Sequence, residues 1–139
     1  MEDRYLYRAK RTDNGEWVQG ALFNGESHCI IGQEIKFSPY TEHECKIVGH
    51  EVDRDTICQC TGLKDTDGKL IWENDVVVFL DTYSTENGQE EMGCMGKVVW
   101  DDETISFQVT NRLSSESYEV LDECSVIGNI FDNPELLEV

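Results

Sequence analysis

Three carboxylates beside two tight turns are the residues of this sequence whose types and spacing could best support chemistry. They are Asp65, Glu73 and Asp75. Several converging carboxylate oxygens bind hard cations, and a pair of carboxylates in a cleft supports acid–base catalysis. The same segment contains residues that adopt positive φ readily, namely Gly62, Gly68 and Asn74. We therefore favour a structural interpretation, two tight turns leading into a strand, over a metal-dependent active site.

A zinc site could be drawn from imidazole and thiolate groups, which are the usual ligands of that metal. The candidate ligands are His43, Cys45, His50, Cys58 and Cys60. Cys58 and Cys60 lack the C-x-x-C spacing of a zinc knuckle, and on a strand their spacing places both side chains on one face. We assign no metal and no cofactor to the chain.

Nucleophilic catalysis has weaker support still. No Ser or Cys lies in a G-x-S-x-G motif, and the sequence contains no glycine-rich phosphate loop. We interpret His28, His43 and His50 as ordinary surface or strand residues. No catalytic residue is assigned, and we expect a protein that is not an enzyme.

The six cysteines of the chain are expected to be reduced thiols of a cytoplasmic protein. The opening residues lack the apolar region of a signal peptide, and no run approaches the roughly 20 apolar residues of a membrane span. Disulfides form in oxidising compartments, which a chain without an export signal does not reach.

The charge of the chain restricts its partners. The sequence holds 29 Asp and Glu against 11 Lys and Arg, a net charge of −18. Affinity for a nucleic-acid backbone or an anionic membrane comes from Lys and Arg, so both are disfavoured as direct ligands. A basic protein partner, or mimicry of a polyanion, stays open.

Short alternating stretches bounded by turn residues predict an all-β fold. The clearest hairpin turns at Asn14-Gly15, between a strand that starts at Tyr5 and a return over Glu16–Phe23. The weaker strands and the loop that follow are His28–Ile31, Glu34–Phe37, the loop Ser38–Glu44, Lys46–Val52 and Thr56–Leu63.

The strongest strand is Asp75–Leu80, reached through Lys69–Trp72, and its apolar run on both faces predicts a central position. We interpret the polar segment Asp81–Glu91 as a mobile loop. Further strands are predicted from Gly96 onward, with the core candidates Val98, Trp100, Ile105, Phe107 and Val109. This order is that of a small SH3-like barrel in the C-terminal half.

The end of the chain is predicted to contain two more strands and one helical turn. The strands are Tyr118–Leu121 and Ser125–Phe131. Asn133 followed by Pro134 and Glu135 is the pattern of a helix start. A composition shift near Asp53–Thr56 permits two lobes, over residues 1–55 and 56–139, within one domain.

Four motifs in succession resemble those of the phage-associated YopX family. They are Trp17–Gly20, Gln59–Asp65, Gly68–Val77 and Val126–Leu137. The resemblance spans nearly the full length and implies a single domain over residues 1–139, a β-rich fold with an SH3-like barrel, and an origin in a phage, prophage or mobile element. It implies no established activity. The family pattern favours Gly at position 74, and Asn is the natural substitute for a residue with positive φ.

Three functions are weighed from the sequence. The first is a non-enzymatic phage or prophage accessory protein that contacts an unidentified host or phage protein. The second is a nucleic-acid mimic, whose carboxylates occupy the basic groove of a DNA-binding host protein. The third and weakest is a metal-dependent enzyme that uses Asp65, Glu73 and Asp75.

Overall fold

The computed structural model of the chain describes residues 5–37, 45–110, 118–119 and 123–137, without the side chains of 33–37, 45–47, 82–83 and 118–119. The chain divides into two compact units, Met1–Cys60 and Thr61–Val139. The described residues contain no helix with the length and apolar character that a bilayer crossing requires. Each unit is built on an antiparallel sheet.

The strands of the first unit are β1 (Tyr7–Lys10), β2 (Trp17–Asn24), β3 (Cys29–Phe37), β4 (Cys45–Val52) and β5 (Cys58–Lys64), which continues into the second unit. They lie in the order β4-β3-β2-β1-β5. The predicted first hairpin is confirmed, with Lys10 opposite Trp17 and Gly15 at a φ of +73°. A single bridge from Arg11 to Val52 joins the ends of β1 and β4.

The two strands predicted at His28–Ile31 and Glu34–Phe37 are one strand, β3, with a register shift between Gly32 and Glu34. The prediction was wrong because a bulge lets the ladder continue past a glycine that looked like a strand end. The backbones come close at this point: a Cβ added at Gly49 would lie 2.2 Å from the carbonyl oxygen of Ile31. The predicted loop Ser38–Glu44 lies outside the described residues.

Alternation along these strands produces the core of the first unit. Its buried residues are Ala9, Cys29, Ile31 and Val52. Partly buried side chains pack against them, namely Tyr7, Val18, Leu22 and Ile57. Tyr7 and Ala9 of β1 share this face with Val18 of β2, so Arg8, Lys10 and Trp17 lie on the opposite face.

The strands of the second unit are β6 (Leu70–Trp72), β7 (Asp75–Thr85), β8 (Gly88–Asp101), β9 (Ser106–Thr110), β10 (Tyr118–Glu119) and β11 (Ser125–Asn129). β6 pairs with β5, and the other five form a sheet in the order β10-β9-β8-β7-β11. β7 therefore has a partner on each side, as predicted for the strongest strand. The predicted SH3-like barrel is not confirmed, because the described strands do not close this sheet.

The predicted helical turn is present as a 3₁₀ helix over Pro134–Leu137. Gly128 of β11 lies close to it, since a Cβ added there would lie 2.9 Å from Cδ1 of Leu136. The segment that ends the chain therefore covers the end of β11.

The prediction of a loop over Asp81–Glu91 was wrong, because this segment belongs to two paired strands. β7 runs on to Thr85, and β8 starts at Gly88, in unbroken register. The prediction failed because the segment is polar, so its sequence shows no apolar alternation. Tight turns and Thr-rich strands carry the signal instead: Asn87-Gly88 marks the turn, and Gly88 has a φ of +114°.

The core of the second unit contains two of the five predicted residues, Val98 and Val109, and Phe107 packs against it. The other buried members are Ile71, Val77 and Cys124. Trp100 and Ile105 were wrong as core predictions, with 43% and 75% of their surfaces exposed. Ile105 lies in the β8–β9 turn at a φ of +53°, so strand alternation does not extend to it.

Candidate functional site: the β7–β8 arm

The ends of β7 and β8 form a two-stranded ribbon, residues 79–96, which we call the arm. β11 pairs with residues 75–78 of β7, and β9 pairs with residues 97–101 of β8. Within the arm the two strands pair with each other, from Phe79 opposite Cys94 to Thr85 opposite Gly88. Among the described strands, none pairs with the outer edges of this ribbon.

Exposure increases along the arm toward its tip. Val77 and Gly96 at its base are buried, Phe79 and Cys94 are half-buried, and all six residues of 88–93 are exposed. Thr85 Oγ1 donates to the carbonyl oxygen of Gly88 at 3.1 Å and tightens the turn. The arm is thus a paired ribbon in which residues 88–93 are exposed on both faces.

Among the side chains of the arm that the structure describes, each face exposes one large apolar side chain. On the face that continues the core, Met92 lies opposite Asp81 and is 51% exposed. On the other face, Leu80 lies opposite Gly93, which has no side chain to cover it, and is 65% exposed. Because neighbouring residues of a strand point to opposite faces, these two side chains lie back to back.

The arm carries negative charge without positive charge. Its carboxylates are Asp81, Glu86, Glu90 and Glu91. No Lys or Arg occurs between Lys69 and Lys97 in the sequence. Residues 61–139 hold 18 Asp and Glu against 4 Lys and Arg, a net −14, whereas residues 1–60 hold 11 against 7, a net −4. The second unit therefore carries most of the charge of the chain.

The one half-buried thiol of the arm reflects this electrostatic environment. Burial raises the pKa of the Cys94 thiol, and the neighbouring charge of Asp81 raises that pKa further. Both effects disfavour the thiolate, which is the nucleophilic form. Cys94 is therefore a poor nucleophile, and its place in the arm is one of packing.

The alternative weighed for Asp65, Glu73 and Asp75, a metal-dependent active site, is not supported: among the described residues, no three Asp, Glu, His or Cys side chains are arranged to hold a metal ion. Asp65 is 6% exposed. Its Oδ1 accepts hydrogen bonds from the amides of Asp67 and Lys69, both at 2.9 Å. Its Oδ2 accepts from the amide of Val126 in β11 at 3.0 Å. The residue ties a turn to a sheet edge.

Electrostatics agree with this structural role of Asp65. Burial by itself raises the pKa of the carboxyl group, but the amide hydrogen bonds from Val126, Lys69 and Asp67 outweigh burial, and the pKa lies below its usual range. A carboxylate held ionised in this way is a permanent acceptor. It is poorly suited to act as a general acid or base near neutral pH.

Asp75 fills a similar place at the start of β7. Its carboxylate is 1% exposed, and Oδ2 accepts a hydrogen bond from the Trp72 amide at 2.8 Å. Asn74, between them in the turn, has a φ of +71°. Gly62 and Gly68 also have positive φ, each +82°, so the predicted positive φ is confirmed at all three positions. Gly68 and Asn74 lie in turns, whereas Gly62 lies within β5.

The proposed zinc ligands do not assemble among the described residues. Cys58 and Cys60 are fully buried on one face of β5, as their spacing predicted. Cys58 Sγ donates to the carbonyl oxygen of Thr56 at 3.2 Å. His43 and the side chain of Cys45 lie outside the described residues. The described cysteines, Cys29, Cys58, Cys60, Cys94 and Cys124, are free thiols.

The first unit contains a cleft of about 470 Å³, lined in part by Lys10, Arg11, His28, Glu51, Asp53 and Arg54. Most of these charges are already engaged within the protein. Arg11 binds Asp13 through two hydrogen bonds of 2.6 and 2.9 Å, and Arg54 donates to the carbonyl oxygen of Gly25 at 2.8 Å. His28 Nδ1 lies 3.1 Å from a Glu51 carboxylate oxygen. The charged side chains that line the cleft therefore hold the surrounding loops together.

Sequence reasoning missed the arm, although two signals could have found it. The β-favouring residues Thr82, Tyr83 and Thr85 precede the turn, and Asn87-Gly88 is a strong hairpin signal. These signals were outweighed by the polarity of the segment. A ribbon built from polar residues has no apolar periodicity to detect.

Comparison with known proteins identifies relatives without a described activity. The family model described as "YopX protein" matches residues 6–138. The crystal structure of protein EF1440 from Enterococcus faecalis is similar, with a TM-score of 0.60 and 27% sequence identity over 94% of this chain and 96% of that one. No curated protein matches the chain.

Proposed function

The chain belongs to the YopX family, and from this premise we propose that it acts without catalysis, by binding a basic protein partner through its second unit. The observation that carries the proposal is the unequal charge, −14 in residues 61–139 against −4 in residues 1–60. Charge concentrated on one unit steers and orients a partner of opposite sign. Solubility alone would be served equally well by an even distribution.

The residues that could have supported chemistry favour the same proposal. Asp65 and Asp75 accept hydrogen bonds from backbone amides, so both are committed to holding turns. The proposal includes the expectations drawn from the sequence: an accessory protein of a phage or prophage that acts in the cytoplasm of its bacterial host, with an SH3-like arrangement of the second unit as the binding module.

Affinity capture with the full chain, repeated over a salt series, tests the proposal. We expect a specific basic protein that is retained at low salt and released steeply as salt increases, because exposed charges are screened within about 10 Å at 0.1 M salt. A variant with Glu16, Glu26 and Asp55 neutralised serves as the control and should bind like the native chain, since these exposed carboxylates lie in the first unit. Failure to recover a specific partner at low salt, or binding indifferent to salt, would contradict the proposal.

The unequal charge also favours a second candidate, mimicry of nucleic acid. A mimic occupies the groove in which its target binds DNA. Duplex DNA should then displace the chain from the captured protein in proportion to its own affinity. If the captured protein binds DNA and the chain at the same time, or binds no DNA, the chain is a binding partner of that protein and not a mimic of nucleic acid.

A further inference from the structure

We propose that the arm enters a basic groove on the partner protein, so that the partner contacts both faces of the ribbon. The inference rests on the proposed function and specifies which element of the second unit is bound. It also specifies the surface that binds it: a groove with Lys and Arg on its walls and an apolar contact on each side.

The exposed apolar side chains of the arm favour contact with both of its faces. Leu80 and Met92 belong to opposite faces of the ribbon, and each is more than half exposed. A partner that docked against one face would leave the other side chain in water. Enclosure from both sides covers both side chains, and burial of apolar area is the main favourable contribution to association.

The two-stranded build of the arm favours a partner that contacts it along its length. An isolated two-stranded hairpin is marginally stable in water. The arm extends this arrangement over six residue pairs, from Leu80 opposite Gly93 to Thr85 opposite Gly88. At about 3.3 Å per residue this part is roughly 20 Å long. A groove of that length would supply the contacts that the described part of the chain does not.

The acidic charge of the arm favours a partner surface that is basic. Sheet edges are commonly protected from unwanted pairing by Lys side chains. Here the protecting charges are all acidic, and they are divided between the faces: Glu90 shares a face with Met92, and Glu91 shares the face of Leu80. A matching groove therefore needs cationic groups on both walls.

Site-specific photo-crosslinking in host cells tests the two-faced contact. A photoreactive residue is placed in the full chain at Leu80, at Met92, or at the control position Ile127, which is 44% exposed and lies in β11 outside the arm. We expect positions 80 and 92 to crosslink one protein, through two different peptides rich in Lys and Arg, and position 127 to give none of these adducts. Adducts from one arm position only, or equal adducts from Ile127, would overturn the inference.

Substitution supplies an independent measurement on the captured partner. Leu80→Ser and Met92→Ser should each weaken binding by about 5- to 30-fold, the range for an apolar contact residue at an interface, while Ile127→Ser leaves binding unchanged. Urea unfolding shows whether each variant retains its fold. If the whole chain recovers no partner, the proposed function fails; if it recovers one that binds both arm variants as tightly as the native chain, the arm inference alone fails.

Discussion

Replacing Asp65 by Asn is expected to destabilise the second unit, although the two side chains have nearly the same shape. The native carboxylate accepts three amide hydrogen bonds, two at Oδ1 and one at Oδ2. Asn retains an acceptor oxygen for the amides of Asp67 and Lys69. Its NH₂ group, however, would face the Val126 amide, so a donor meets a donor and β11 loses its tie to the turn.

The magnitude follows from the bond that is lost. A hydrogen bond to a charged group contributes roughly 1.5–3 kcal/mol, and the two remaining bonds weaken when their acceptor becomes neutral. We therefore expect the free energy of unfolding to fall by about 2–4 kcal/mol at pH 7. Asp67→Asn is the matched control, because Asp67 is exposed and lies two residues from Asp65 in the same turn. This substitution should change the free energy of unfolding by less than about 0.5 kcal/mol.

The pH dependence distinguishes this explanation from a general loss of packing. Because the pKa of Asp65 is lowered in the folded chain, its contribution is fully present above the usual carboxyl pKa of about 3.9 and is lost as pH falls through the folded value. Urea unfolding followed by tryptophan fluorescence should show a constant difference between native and Asp65→Asn chains from pH 7 to 5, and a narrowing one below pH 4. A difference under 1 kcal/mol at pH 7, or one that widens in acid, would refute the reasoning.

Substitutions at three further positions test other features of the structure. Asn74→Gly should leave the free energy of unfolding nearly unchanged and Asn74→Ala should lower it by about 1 kcal/mol, because a Cβ residue without a compensating amide is strained at positive φ; equal effects in urea unfolding would contradict this. Asp81→Asn should lower the pKa of Cys94 and speed its alkylation at pH 8, with unfolded protein as the control for intrinsic reactivity; a slower reaction would show that the Asp81 charge is not a cause. Gly49→Ala should cost about 1–3 kcal/mol, since the added methyl would overlap the carbonyl oxygen of Ile31, and an unchanged melting temperature would contradict the close approach of these strands.

The turns of this protein were predictable from sequence because their chemistry is local. Gly68 and Asn74 adopt the positive φ that their residue types permit, and Asn14-Gly15 forms the predicted hairpin turn. The central strand was predictable as well, since an apolar run such as Val76-Val77 has no stable place except between neighbours. Local chemistry and burial agree at these positions.

Features that depend on distant residues were not predictable. Asp65 is identified as a tie between a turn and β11 only by the amide of Val126, which lies far along the chain. The arm was not predicted because residues 81–91 are polar and show no apolar alternation. Trp100 lies on the core face but beyond the end of the core, where it packs edge-on against Phe107 at a centroid distance of 5.1 Å. Strand alternation predicts which face of the sheet a side chain lies on, but it does not predict how deeply that side chain is buried.

The late position of β11 in the chain has a consequence for how the second unit folds. β7, β8 and β9 are joined by short turns, and such hairpins form in about 1–10 μs. β11 pairs with β7 across a long separation, with Ser125 opposite Val78, so its addition must wait for closure of a long loop. Until then one edge of β7, which contains the apolar run of residues 76–80, is open to pairing with another molecule. We expect crowded, newly synthesised chains to aggregate through this edge, and the Asp65 tie to act as the lock that ends the exposure.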